Sequence, residues 1–221
     1  MPRNGGPKPR TKASSAPSTR QRLIEVARAL MQERGYNGFS YLDVAAKVGI
    51  SHVAVHHHFK TKADLGAAAM GDYAKSFAEA LTLAEQRHHD APARIHAFVE
   101  LFRRVLLVGD RICLCGMLAS EYATLPKAVR VEVRAFFELA ESWLARVLEE
   151  GRRKGEVRLE GDAASTAASL FAGLEGALIA ARTFDDASRF QAASAWLVAG
   201  LIAGRHAGTA STSAAAPLPA T

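Results

Sequence analysis

Residues 49–65 read GISHVAVHHHFKTKADL and hold four of the chain's eight histidines, His52, His56, His57 and His58. Imidazole can ligate a metal, carry a proton or contact an anion, and spacing discriminates among these roles. His52 and His56 stand at i and i+4, one helix face, which is compatible with a shared ion. His56, His57 and His58 point about 100° apart around a helix axis and cannot converge on one ion. No cysteine or paired carboxylate nearby completes a ligand set, so no metal is expected here. The second chemical feature is ICLCG, with Cys113 and Cys115, the two cysteines of the chain. A thiol is a strong nucleophile once its pKa is lowered. On a helix these two would point about 200° apart, so they are expected not to bridge, with one at most facing a pocket. The bland alternative is a pair of small buried hydrophobes.

The elements that must position these residues are all helical in pattern. Ser18 with Gln21 opens a helix carrying Leu23, Ile24, Ala27, Leu30 and Met31 on one side, and ERGYNGF stops it at Gly35 and Gly38. Ser40 with Asp43 opens a second, with Leu42, Val44, Ala45 and Val48 expected inward, ending at Gly49. Ser51 caps a third that runs to about Phe59. Thr61 with Asp64 opens a long fourth helix to about Arg87. Asp90 with Pro92, the short CLCGMLASEYATL, Pro126 through Gly155, and two final helices rich in alanine and glycine complete the chain. The fold class is all-α, with about nine helices and no convincing strand. The organisation reads as a basic tail at 1–17, a small helical domain at 18–65, a larger helical bundle at 66–204, and a low-complexity tail at 205–221.

Two short helices joined at Gly49-Ile50 and backed by a third make a helix-turn-helix, whose second helix enters a major groove N-terminus first. Ser51, His52 and Ala54 then reach bases, with either Val53 or Val55 facing inward. His56, His57, Lys60 and Lys62 reach the sugar-phosphate wall. The stretch Gly35-Tyr36, Ser40-Tyr41-Leu42-Asp43-Val44-Ala45, Val48-Gly49-Ile50-Ser51, His56-His57-His58-Phe59 and Lys60-Thr61-Lys62-Ala63-Asp64-Leu65 resembles the signature of TetR-type bacterial transcriptional regulators, over residues 19–65. That resemblance implies a DNA-binding repressor that is not an enzyme, a homodimer paired through the last two helices, a palindromic double-stranded operator and a small-molecule inducer. It implies DNA contacts from Ser40, Tyr41, Ser51, His52, Val53, Ala54, His56, His57, Lys60 and Lys62. The sequence departs from the family at His56 and His58, where aromatic phenols are usual; a histidine contact at 56 would be pH-sensitive, and His58 is expected to pack beside Phe59. ICLCGMLASEYATLP resembles, more weakly, a stretch of members that answer electrophiles or small unsaturated acids such as acrylate. A ligand pocket near Phe98, Phe102, Cys113, Cys115, Met117, Glu121 and Trp143 is the corresponding expectation, with ICLCG near the far end of the fourth helix.

Composition sets the remaining bounds. Two cysteines in 221 residues give no disulfide framework, which suits a reducing, cytoplasmic setting, nucleoid-associated through DNA. No apolar run of about 18 residues and no signal stretch is apparent, so no membrane partner is expected. Nothing suggests a cofactor: there is no phosphate-cradling glycine loop, no metal constellation, and no base at readable spacing from either thiol. The alternative function is a thiol-based redox protein or enzyme using Cys113 or Cys115. Charge favours a polyanionic partner, because residues 1–22 hold six basic residues and no acid while the whole chain is also +6. Deleting residues 1–17 removes Arg3, Lys8, Arg10 and Lys12. This truncation should weaken DNA binding at all sequences alike and flatten the salt slope by up to about 3–4. Anisotropy titrations across salt concentrations check it, and an unchanged slope refutes it.

Overall fold

Local signals carry the helix starts. In the computed structural model, which describes residues 17–109 and 111–202, the N-terminal tail reading lies outside the described residues save for Pro17, and that of 205–221 lies wholly outside. The described residues form nine helices: α1 (Thr19–Arg34), α2 (Tyr41–Val48), α3 (His52–His58), α4 (Lys62–Arg87), α5 (Ala91–Val105), α6 (Leu114–Ser120), α7 (Lys127–Lys154), α8 (Ala163–Thr183) and α9 (Ala187–Ala199). Side-chain oxygens of Ser18, Ser40, Ser51, Thr61, Asp90, Asp162 and Asp186 accept backbone N–H groups at their helix starts. Ser40–Asp43 and Thr61–Asp64 are full capping boxes, each satisfying two otherwise orphaned donors. Among the described residues the β pairing is one isolated bridge, Val157 to Ile202.

The first three helices form a head, and α4 connects it to the bundle. It packs on both α1 and α7. Leu65, Ala69 and Met70 in its first half and Leu81 and Ala84 toward its end are buried. One apolar core runs from Leu23 to Val198. Its bundle end is aromatic: Tyr73 stacks on Phe136 at 5.4 Å, Phe77 meets Phe136 at 4.8 Å, and Phe98 stacks on Trp143 at 5.6 Å. Phe102 packs on Phe98 and Phe171. Phe98, Phe102 and Trp143, expected at a pocket wall, are therefore core.

Two expectations are corrected. Leu42, placed inward by periodicity, is 67% exposed, because Tyr41, Val44, Ala45 and Val48 already fill the buried face of an eight-residue helix. α8 also combines the length and hydropathy of a membrane-spanning helix, contrary to the absence read from sequence. Here it packs between α7 and α9, which buries Leu170, Phe171, Leu174 and Leu178. Phe136 is fully buried amid three aromatic neighbours, Tyr73, Phe77 and Phe171. Phe136→Ala should cost about 3–5 kcal/mol of unfolding free energy, measured by denaturant titration; a loss under about 1 kcal/mol would contradict this packing.

Candidate nucleic-acid interface and effector region

The turn before α3 depends on one glycine. Gly49 adopts φ 77° and ψ 40°, the left-handed region that costs other residues a steric penalty. Its N–H and that of Ile50 both reach the Ala45 carbonyl, at 2.9 and 3.1 Å, which closes α2. Arg22 donates to the Val48 carbonyl at 2.7 Å, a second lock on the same helix end. Ser51 then caps α3 through Ala54 N–H at 3.1 Å. Val55 and Phe59 are buried and seat α3 on the head. Val53 is 64% exposed, which settles the choice between the two valines.

The outer face of α3 presents Ser51, His52, Val53, His56, His57 and His58, with Ala54 half-buried and Lys60 exposed beyond the helix. His58 is thus open to solvent and does not pack into the core beside Phe59. The rings of His52 and His56 meet edge to face at 4.8 Å, and His56 lies 4.7 Å from the Tyr41 ring. Tyr41 is buried and its hydroxyl donates to the Phe59 carbonyl at 3.0 Å; burial pushes the phenol up to about 12, so it stays a neutral donor. Tyr41 therefore braces α3 from behind and is not free to reach DNA. Ser40 binds Asp43 in the capping box, and the Ser40 hydroxyl holds that carboxylate below its usual range. Lys62 lies with its ammonium 4.5 Å from both the Tyr36 and Phe39 ring centres, and desolvation lowers its pKa. The surface lysine expected from sequence is a half-buried cation–π group.

In the bundle, Cys113 is the residue before α6 and Cys115 lies in its first turn. Cys113 is outside regular helix, so the 200° separation does not apply. The two sulfurs stand 3.2 Å apart, both buried and both free thiols. Cys115 Sγ donates to Glu175 Oε1 on α8 at 3.2 Å, and the Tyr73 hydroxyl lies 3.4 Å from Cys113 Sγ. Burial pushes the Cys115 thiol well up, the Glu175 carboxyl up, and the Tyr73 phenol well up. Tyr73 belongs to the middle of α4, so ICLCG does not sit near that helix's far end. Met117 is half-buried on α6.

Glu121, expected at the pocket, follows the end of α6 and points to the head. Its carboxylate accepts Tyr36 N–H, Asn37 N–H at 3.3 Å and the Asn37 side chain at 3.1 Å. At the other end of α6, Gln32 of α1 donates to the Ile112 carbonyl at 3.1 Å. A cavity of about 310 Å³ lies between α1, α4 and α5. Phe77, Leu101 and Val105 give it an apolar lining, and Arg28, Arg104 and Arg111 bring guanidiniums. Arg28 pairs with Asp72 at 3.2 Å and Arg111 with Glu33 at 3.4 Å. Sequence reasoning missed Glu175, Tyr73, Arg28 and Arg111, because their partners are 40 to 78 residues distant.

Comparison with known proteins agrees with this architecture. Residues 23–69 match the family described as bacterial regulatory proteins, tetR family, and residues 91–197 match the tetracyclin repressor-like C-terminal domain. The transcriptional regulator AcuR of Cereibacter sphaeroides is 28% identical over 187 residues, 82% of this chain and 83% of that protein. The HTH-type regulator CymR of Pseudomonas putida is 44% identical over 59 residues, 27% of this chain and 29% of its own. A TetR-family regulator from Agrobacterium tumefaciens superposes with a TM-score of 0.81 at 32% identity, covering 84% of this chain and 98% of that one. A head built to present α3, on a helical bundle of this form, is shared with that regulator along nearly its whole length: the chain belongs to the TetR family and is a DNA-binding transcriptional regulator.

Proposed function

We propose that this regulator is a homodimeric repressor that reads a palindromic operator with α3 and is released by a small ligand in the cavity between α1, α4 and α5. The observation that carries the reading is that the cavity wall includes the DNA-binding head itself, through Arg28 and Gln32 of α1. The ligand class follows from the lining, apolar on one side with guanidiniums around it: a small carboxylate with an apolar body. Such an anion competes with Asp72 for Arg28. Asp72 also accepts from Gln21 at 3.2 Å, so displacing it loosens two ties between α1 and α4. The ligand releases DNA by stabilising head spacings that no longer match half-sites about 34–36 Å apart.

Dimerisation is supported by the outward face of α8 and α9. Ala172, Gly176 and Ile179 on α8, and Ala192, Ala195, Trp196 and Ala199 on α9, are exposed at helical spacing. Trp196 is 79% exposed, a large apolar group that a second copy would cover. The domain division at 65/66 follows the same reading, with the head to DNA and the bundle to ligand and partner, in the cytoplasm. A thiol enzyme or electrophile sensor is disfavoured by burial, which raises the Cys115 thiol where a nucleophile needs it lowered.

On DNA, Ser51, His52, Val53 and Ala54 face the bases, and Ser40, His56, His57, Lys60 and Lys62 lie toward the phosphates. His57→Ala should weaken operator binding without altering the melting temperature, whereas Lys62→Ala should also lose about 0.5–1 kcal/mol of stability through its ring contacts. Anisotropy and thermal melts separate the two, and equal effects on stability would refute the distinction. Asp72→Asn should mimic the inducer, lowering operator affinity without ligand. A mobility shift on the DNA upstream of the chain's own gene tests both operator and release; full affinity in Asp72→Asn would remove the proposed route.

A further inference from the structure

We propose that Cys113, Cys115 and Glu175 form a buried site for a thiophilic divalent cation of the zinc type, which ties α6 to α8. The proposal does not rest on the carboxylate cavity, which these three residues do not line.

The geometry is close to a ligand set. One donor atom from each residue lies within 4.8 Å of the other two, and all three residues are buried. Zinc–sulfur bonds of about 2.3 Å in a tetrahedral site place two sulfurs about 3.8 Å apart. The sulfurs here are 3.2 Å apart, so a small outward movement of one suffices. Cys113 can make it, because it precedes α6 and its side chain makes no capping hydrogen bond. At that position serine, threonine or aspartate would stabilise the helix; a thiol turned toward a second thiol serves something else.

Glu175 is the second sign. It sits on α8 among Phe171, Leu174 and Leu178, all fully buried, and its carboxylate meets the thiols. A carboxylate in an apolar core costs free energy that a bound cation would offset. The fold also makes room for it: a Cβ on Gly116 would stand 2.3 Å from Glu175 Oε2. Any larger residue at 116 would push that oxygen away from the sulfurs.

Ligand chemistry selects the ion. Two thiolates exclude calcium and magnesium, and the added carboxylate favours a divalent borderline ion over copper(I). On binding, each sulfur gives its thiol proton to solvent and a lone pair to the ion, with no change in oxidation state. The Tyr73 hydroxyl, 3.4 Å from Cys113 Sγ, is placed to donate to the resulting thiolate. The ion would act on the head through α6, whose flanking Ile112 carbonyl and Glu121 carboxylate both hold it.

The test uses the full chain, reduced and chelator-stripped under nitrogen, titrated with Co²⁺ and then Zn²⁺. The expected result is one ion per chain, a thiolate-to-cobalt charge-transfer band that zinc abolishes, and a zinc-dependent rise in melting temperature. Cys115→Ser should lose the band. Glu175→Gln, nearly isosteric, should keep the helical circular dichroism while binding at least tenfold more weakly. A chain that binds no cobalt, wild-type affinity in Glu175→Gln, or a band lost on His52→Ala with His56→Ala would each overturn the site.

Discussion

The rest of the molecule depends on how the Glu121 carboxylate holds the turn between α1 and α2. It accepts the backbone N–H groups of Tyr36 and Asn37, which no helix satisfies. The chain reaches it only through Gly35, at φ 78°, where an added Cβ would stand 2.7 Å from Glu121 Oε1. One side chain at the end of α6 thus holds two successive backbone N–H groups of the head, which couples the turn after α1 to α6. Gln32 supplies the second point of attachment, at the Ile112 carbonyl. Two points define a lever; one would permit rotation. α6, only seven residues long, is thereby tied to the head alongside the long α4, whose Asp72 holds Arg28 and Gln21 of α1.

What was legible in the sequence was local. The caps at Ser18, Ser40, Ser51, Thr61 and Asp90 act within three residues, so their side chains announce the helices they start. Gly49 marks its turn for the same reason. The facing of α3 was half legible: its small and polar residues pointed outward as read, but periodicity could not choose between Val53 and Val55. Tyr41 misled because a tyrosine beside a DNA-reading helix can either contact phosphate or brace the helix. The buried hydroxyl bond to Phe59 decides it, and that partner is invisible without the fold.

The effector region was scarcely legible, for a physical reason. Its contacts join α1, α4, α6 and α8 across long sequence separations, and helix periodicity reports which face is buried but not against what. Phe98, Phe102 and Trp143 had the right type for a pocket wall, yet aromatic rings at that spacing close on one another when nothing polar interrupts them. The cavity forms where arginines do interrupt, at Arg28, Arg104 and Arg111. Cys113 and Cys115 diverge only if both are helical. One residue of non-helical backbone at Cys113, with φ −54° and ψ 128°, is enough to bring them together.

Tyr73 links the two candidate effector regions. Tyr73 lines the cavity and its hydroxyl reaches Cys113, so a ligand on one side of the ring and a cation on the other would compete for the position of one phenol. Neither can move Tyr73 without moving Phe136, on which it stacks, and Phe136 lies at the centre of the aromatic core. Close-packed cores pass displacement on because there is no void to absorb it. The strain therefore has two exits: along α4 toward Asp72 and Arg28, or through Cys113 to Ile112 and Gln32. Both end on α1. A ligand and a cation at the two proposed sites would thus act on one output helix, and either would move the head through α1.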